Sequence, residues 1–124
     1  MAGSFTDSFE NSVLNYVFSG TALPSGNYEI GLFTTAPTDS TAGSECSGGS
    51  YARQAATWTV STSGQVSNSA DITFPTATAS WGTVVAVGVF KGTTLAAHAD
   101  VTAKQVAIGD TVKIAAGDLD INLD

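Results

Sequence analysis

The clearest indication of the fold comes from the segment Val84-Val85-Ala86-Val87-Gly88-Val89-Phe90. It is a continuous apolar run in which four of the seven residues are valine. Such a run is too short and too rich in β-branched residues for a buried helix, and it is typical of a strand that is buried on both faces. We therefore expect these residues to form the central strand of a β-sheet.

Short segments with strand-like patterns lie on both sides of this run. Residues 28–33 alternate in character after a Pro-Ser-Gly turn signal, residues 36–50 predict a long loop, and Gly109-Asp110 predicts a hairpin turn. Further strands are predicted at about 51–60, 70–74, 82–90, 94–99, 104–108, 111–115 and 118–123. Repeated short strands separated by turns are typical of a mainly β fold, so we expect an antiparallel β-sandwich, jelly-roll- or Ig-like, over about 27–124 of a single domain 1–124.

One short helix is predicted ahead of the strands. Apolar residues recur at helical spacing, Asp7 supplies an acid for the first turn, and Gly20 suits the position after the last turn. We place this helix at about 7–18. Its apolar face consists of Phe5, Phe9, Val13 and Val17. This face is either part of the core or a docking surface for a partner, and the core is favoured.

Charge is scarce in this chain of 124 residues. Four Lys and Arg stand against eleven Asp and Glu, giving a net charge of −7, and 12% of the residues are charged. Four scattered cationic side chains cannot form the basic patch that binds a phosphate backbone, which excludes nucleic-acid-binding proteins. The apolar content of 43% excludes a disordered chain, and no apolar run is long enough to cross a membrane. The N-terminus resembles no signal peptide, so we expect that the chain is made in the cytoplasm or was processed before this numbering begins.

Two sets of residues invite a chemical interpretation. Cys46 and His98 are the only cysteine and histidine, the residue types of a nucleophile and its base, but no third orienting group is marked and no hydrolase or phosphate-loop motif is present. In residues 118–124, oxygen-bearing and apolar side chains alternate, which indicates either half of a calcium site or the solvated face of an edge strand, and the second is favoured. We expect no enzymatic activity, no metal and no cofactor.

Large aromatic residues and the single arginine are the remaining candidates. Four aromatic residues could form either a sugar-stacking platform or core anchors, and the core is favoured: Tyr28, Tyr51, Trp58 and Trp81. Trp81 stands at a strand entrance, where we expect its ring to be half exposed. Arg53 follows the long loop, and its fixed donors suit either loop carbonyls or a loop carboxylate such as Asp39 or Glu45, so a structural clamp is favoured over a binding residue.

Several motifs occur in order along the chain and resemble a known family. They are Phe9-Glu10-Asn11, Gly48-Gly49-Ser50-Tyr51-Ala52-Arg53, Phe74-Pro75 with Trp81-Gly82-Thr83-Val84, Gly109-Asp110-Thr111-Val112 and Ala116-Gly117-Asp118-Leu119. Together they resemble the small virion proteins of tailed bacteriophages, which are commonly labelled tail-fibre proteins and are similar to capsid cement or decoration proteins. No catalytic or metal-binding residues come with this resemblance.

The resemblance implies a non-enzymatic structural protein of the virion. Our first interpretation is a cement or decoration protein on the capsid exterior, where neighbours readily desolvate a charge-poor surface. The alternative is a tail-fibre or tail-tip module that binds a host-surface glycan or receptor through exposed aromatic residues, with Trp81 or Tyr51 as the contacts. Both imply other virion proteins as partners, either the major capsid protein or tail proteins, and a homo-oligomer, dimer or trimer.

Overall fold

The computed structural model describes residues 2–60 and 63–123. Within these residues the chain forms one helix and ten strands. In order they are β1 (Ala2–Phe5), α1 (Asp7–Ser19), β2 (Tyr28–Thr35), β3 (Ser44–Glu45), β4 (Gln54–Ala55), β5 (Gln65–Ser67), β6 (Ile72–Thr73), β7 (Gly82–Lys91), β8 (Thr94–Val106), β9 (Lys113–Ile114) and β10 (Asp120–Asn122).

The apolar run is the central strand, as predicted. It lies within β7, which pairs in antiparallel fashion with β2 on one side and with β8 on the other. Val87 and Val89 face one core cluster, while Ala86 and Phe90 face a second cluster on the opposite side of the sheet. The strand is therefore buried on both faces, which explains why nearly every position in it is apolar.

Two layers of strands enclose the main core. One side of the main cluster is formed by Ile30, Val87 and Ala97 of the long strands β2, β7 and β8. The other side is formed by Ile72, Ile114 and Ile121 of the short strands β6, β9 and β10. β1 connects the layers, because its first two residues pair in parallel with β10 and its last two pair in antiparallel fashion with β8. The predicted mainly β, antiparallel fold with one short helix is confirmed, and the layers form a sandwich-like arrangement.

The helix predicted at about 7–18 spans Asp7–Ser19. The Thr6 hydroxyl accepts a hydrogen bond from the Phe9 backbone N–H, which caps the first turn, and Gly20 ends the helix in the left-handed conformation at φ 67°. Phe9 is only 3% exposed and its ring meets that of Phe5 edge-on, with centroids 5.2 Å apart. The first turn of α1 therefore closes one end of the core.

Several predicted strand boundaries are wrong. The strand predicted at 51–60 is reduced to β4 and a single bridge between Trp58 and Asn68, and the strands predicted at 94–99 and 104–108 are one continuous strand, β8. β3 lies inside the loop predicted at 36–50. The turn at Gly109-Asp110 makes no hairpin, because β9 pairs with β6 and not with β8. These short strands exist only where a neighbour offers a partner, which local sequence patterns do not reveal.

Candidate functional site

A gap in the outer edge of β2 is filled by the loop between β3 and β4. β4 pairs with one end of β2 and β3 with the other, and neither strand pairs with Leu32 between them. The Leu32 backbone N–H instead donates to the Tyr51 hydroxyl at 2.9 Å, and the Leu32 carbonyl accepts from the Cys46 N–H at 2.8 Å. A tyrosine hydroxyl thus replaces the carbonyl that a neighbouring strand would supply.

Three donors converge on the carboxylate of Glu45 beside this gap. The Tyr51 hydroxyl donates to Oε2 at 2.6 Å, and Arg53 donates through Nε to Oε2 at 2.9 Å and through a terminal nitrogen to Oε1 at 2.8 Å. The Arg53 guanidinium also lies over the Phe90 ring, 3.5 Å from its centroid. We call Glu45, Tyr51 and Arg53 the edge clamp, and of the two carboxylates considered for Arg53, the structure pairs it with Glu45.

The electrostatics of the edge clamp match its geometry. Partial burial by itself would raise the pKa of Glu45, but the hydrogen bonds from Arg53 and Tyr51 and the charge of Arg53 outweigh it and lower the pKa. Burial, followed by the hydrogen bond to Glu45, raises the pKa of the Tyr51 hydroxyl. The tyrosine is therefore a fixed neutral donor and the glutamate a fixed anion, an arrangement that holds structure and offers no group ready to exchange a proton.

Two glycines lie side by side in the sheet, and the edge clamp packs over one of them, Gly31. Gly31 of β2 lies directly opposite Gly88 of β7. A Cβ on Gly31 would come within 2.7 Å of Glu45 Oε2, and a Cβ on Gly88 would come within 2.5 Å of the Phe33 ring. The rings of Phe33 and Phe90 stack with centroids 6.0 Å apart on this face. A side chain at Gly31 would therefore displace the Glu45 carboxylate, and a side chain at Gly88 would displace the Phe33 ring.

Trp81 is buried, so the prediction of a half-exposed ring is wrong. It is 3% exposed, and its indole N–H donates to the Gly49 carbonyl at 2.8 Å. The Tyr51 ring lies between Trp81, which it meets edge-on, and Phe74, on which it stacks. Tyr28 and Trp58 form a separate edge-on pair. The loop between β3 and β4, which we call the docked loop, covers Trp81. This ring is therefore part of the core and has no exposed face on which a sugar could stack.

The structure does not bring Cys46 and His98 together. Cys46 belongs to the main core cluster, and burial, followed by the nearby charge of Glu45, raises the pKa of its thiol. His98 lies on β8 between two alanines of that cluster and therefore points to the other face of the sheet, where its Nε2 pairs with Asp39 Oδ1 at 2.8 Å. A thiol with a raised pKa, separated from the histidine by a sheet, is not an activated nucleophile.

The alternating C-terminal segment also has a structural role. Leu119 and Ile121 are buried in the core, Leu123 is exposed, and the hydroxyl of Ser67 donates to the Asp120 carboxylate across the β5–β10 pair. Among residues 2–60 and 63–123, no three His, Cys, Asp or Glu side chains lie close enough to hold a metal ion.

An apolar cavity of about 220 Å³ lies between the first turn of α1 and the inner face of the sheet. Phe5, Phe9, Tyr28 and Trp58 are among the residues that line it, and none of its lining residues carries a charge. A cavity without charged or nucleophilic groups supplies no chemistry.

The C-terminal half of α1 leaves large apolar side chains in solvent. Val13 is half-buried, but Leu14 is 55%, Val17 62% and Phe18 81% exposed. These last three residues stand at positions i, i+3 and i+4, so they form one continuous ridge, which we call the α1 ridge. The predicted apolar face is therefore divided, with Phe9 in the core and Val17 in solvent.

Sequence reasoning missed Leu14 and Phe18. The signal that would have found them is a second apolar stripe on the same helix, displaced from the stripe that starts at Phe9. The ridge also lies in residues 11–28, a segment without a single charged residue.

Comparison with known proteins places the chain in a family. No curated protein matches it. Among the described residues, no helix is both long and apolar enough to span a membrane. A family model described as podophage GP4 fiber I protein gp80 matches residues 4–122, from β1 through β10, and so includes both the edge clamp and the α1 ridge. This agrees with the resemblance to small tailed-phage virion proteins, and we conclude that the chain belongs to the podophage GP4 fiber I protein gp80 family of phage fibre-type virion proteins.

Proposed function

We propose that this protein is a non-enzymatic structural component of the tail fibre, held in the virion by contacts of the α1 ridge with protein. The observation that carries the proposal is the exposure of Leu14, Val17 and Phe18 on one ridge of a helix. Exposed apolar residues in a contiguous patch are typical of protein–protein contact sites.

The rest of the molecule supports this assignment, because the polar and aromatic residues considered as binding residues make contacts within the domain. The edge clamp closes the β2 edge, Trp81 anchors the docked loop, and His98 holds Asp39. A closed edge prevents unwanted strand pairing with other chains, which suits a protein that is packed among many copies of virion proteins. The exposed C-terminal half of α1 is then available to a partner.

A position in the fibre is favoured over the capsid exterior by the family description, which names a fiber protein. A cement or decoration protein would use the same charge-poor surface, so location is the property to measure. A glycan-binding role has less support, because Trp81 is buried and the Tyr51 hydroxyl is occupied by Leu32 and Glu45.

Immunogold labelling of intact virions with antibodies to this protein tests the location. We expect gold particles along the tail fibres, whereas labelling distributed over the capsid shell would overturn the fibre assignment in favour of cement.

Incorporation into virions tests the role of the ridge. A phage carrying Leu14→Ser with Phe18→Ser should assemble particles that lack the protein, although the purified variant keeps the wild-type circular dichroism spectrum. Ile108→Ser is the matched control, because Ile108 is 72% exposed and lies on the turn after β8, away from α1 in sequence. Normal incorporation of the double variant would refute the role of the ridge.

A further inference from the structure

We propose that the α1 ridge binds a second copy of this chain, with the two α1 helices packed antiparallel about a two-fold axis. This rests on the proposed function, in which the ridge is a protein contact, and it names the partner. The argument uses three properties of the ridge: its area, its lack of charge and the position of the acids on α1.

The area is sufficient for a small specific interface. Leu14, Val17 and Phe18 together present on the order of 400 Å² of exposed surface, the size of functional patches on monomers. Two such patches facing each other, with the flanking Asn11 and Asn15, bury roughly 1,000 Å² in total, which reaches the lower limit for a specific interface.

The charge distribution favours a copy over an unrelated partner. Each copy carries a net charge of −7, so two copies repel each other wherever their carboxylates come close. Residues 11–28 contain no charged side chain, which makes this segment a face through which two copies can meet without apposing acids. A basic partner would gain from contact with the carboxylates, and nothing in this segment would attract it.

The acids at the start of α1 select the antiparallel arrangement. A two-fold axis at the level of Tyr16 places Leu14 of one copy opposite Phe18 of the other, so each ridge is complementary to itself. It separates the two Glu10 residues by about 18 Å along the helices, since the rise is 1.5 Å per residue, and this exceeds a Debye length of about 8 Å. Parallel helices would instead place Asp7 and Glu10 of both copies side by side.

Light scattering after size-exclusion chromatography tests the pairing on the purified full chain. We expect a dimer that persists at high salt, because the contact contains no ion pair. Leu14→Ser with Phe18→Ser, and separately Phe18→Ser alone, should raise the dissociation constant at least about tenfold without unfolding the domain. Ile108→Ser should remain dimeric.

A spin label on Ser8→Cys reports the orientation, because Cys46 is buried and is shielded from labelling. The antiparallel pair predicts a label separation of roughly 25 Å along the helices, whereas parallel helices predict roughly 10 Å. A stable trimer, or the short separation, would overturn the antiparallel pair. A chain that is monomeric at every concentration would overturn self-association and leave the gold-labelling result for the fibre unaffected, so the two proposals fail separately.

Discussion

The hydroxyl of Tyr51 at the β2 edge is bonded to Leu32 and Glu45, while on α1 more than half of the Tyr16 side chain is in solvent. The same contrast separates Trp81, buried under the docked loop, from Phe18, which is 81% exposed. Both regions contain aromatic residues, but only those in the C-terminal half of α1 are exposed to solvent. Aromatic content by itself therefore does not identify a binding surface, whereas burial and hydrogen-bond occupancy distinguish the two regions.

The largest expected difference between the two regions lies in the aromatic rings. Trp81→Ala should lower the free energy of unfolding by about 3–5 kcal/mol, because it opens a cavity in the core and releases the Gly49 carbonyl. Phe18→Ala should change it by less than about 0.5 kcal/mol in dilute solution. Urea unfolding of both variants measures the contrast, and equal losses would show that the C-terminal half of α1 packs on the domain.

The two tyrosines provide a matched test of the hydrogen bonds. Tyr51→Phe leaves the Leu32 N–H without its acceptor and removes a donor from Glu45, so we expect a loss of about 1–3 kcal/mol. Tyr16→Phe should be neutral within about 0.5 kcal/mol. Thermal unfolding of the two variants measures this difference in stability. An unchanged stability of Tyr51→Phe would mean that the hydroxyl does not close the β2 edge.

The edge clamp should make stability depend on pH. The pKa of Glu45 is lowered in the folded chain, so its contribution is complete above the unfolded value of about 4.3 and is lost as the pH falls through the folded value. Glu45→Gln should lower the free energy of unfolding by about 1–2 kcal/mol at pH 7, and it should flatten the decline of stability below about pH 4.3.

Unfolding followed at a series of pH values measures this effect. Glu10→Gln, an exposed glutamate on α1, serves as the control and should stay close to the wild-type curve. Parallel curves for wild type and Glu45→Gln would contradict the role of the carboxylate.

The smallest expected effect concerns the loop that holds the start of α1. The Asp39 carboxylate pairs with His98, and the Asp39 carbonyl accepts from the Asp7 N–H at 3.0 Å. Asp39→Ala should lower the free energy of unfolding by about 0–1 kcal/mol, because it removes one side-chain hydrogen bond from a half-exposed residue, and it should speed hydrogen exchange at the Asp7 amide. Unchanged exchange there would show that the side chain does not position the loop.

Much of the fold can be read from local patterns. Val84–Phe90 is apolar at every position because both faces are covered, and α1 carries its own cap and C-terminal glycine at Thr6 and Gly20. The two-residue strand β3 was not predicted, and β4 is only a short part of the strand predicted at 51–60, because the hydrogen bonds of both come from β2 and not from their own composition. The exposure of Trp81 was predicted wrongly for a related reason, since it is set by a loop that docks from elsewhere in the chain.

The central strand, the helix, the acidic and charge-poor character of the chain and its resemblance to phage virion proteins follow from residue types and short-range spacing alone. The pairing of Arg53 with Glu45, the place of Tyr51 in the gap of the β2 edge and the division of α1 between core and solvent are visible only in the folded chain. These properties depend on which distant segments come into contact, and a periodic apolar stripe does not specify how far along a helix the domain extends.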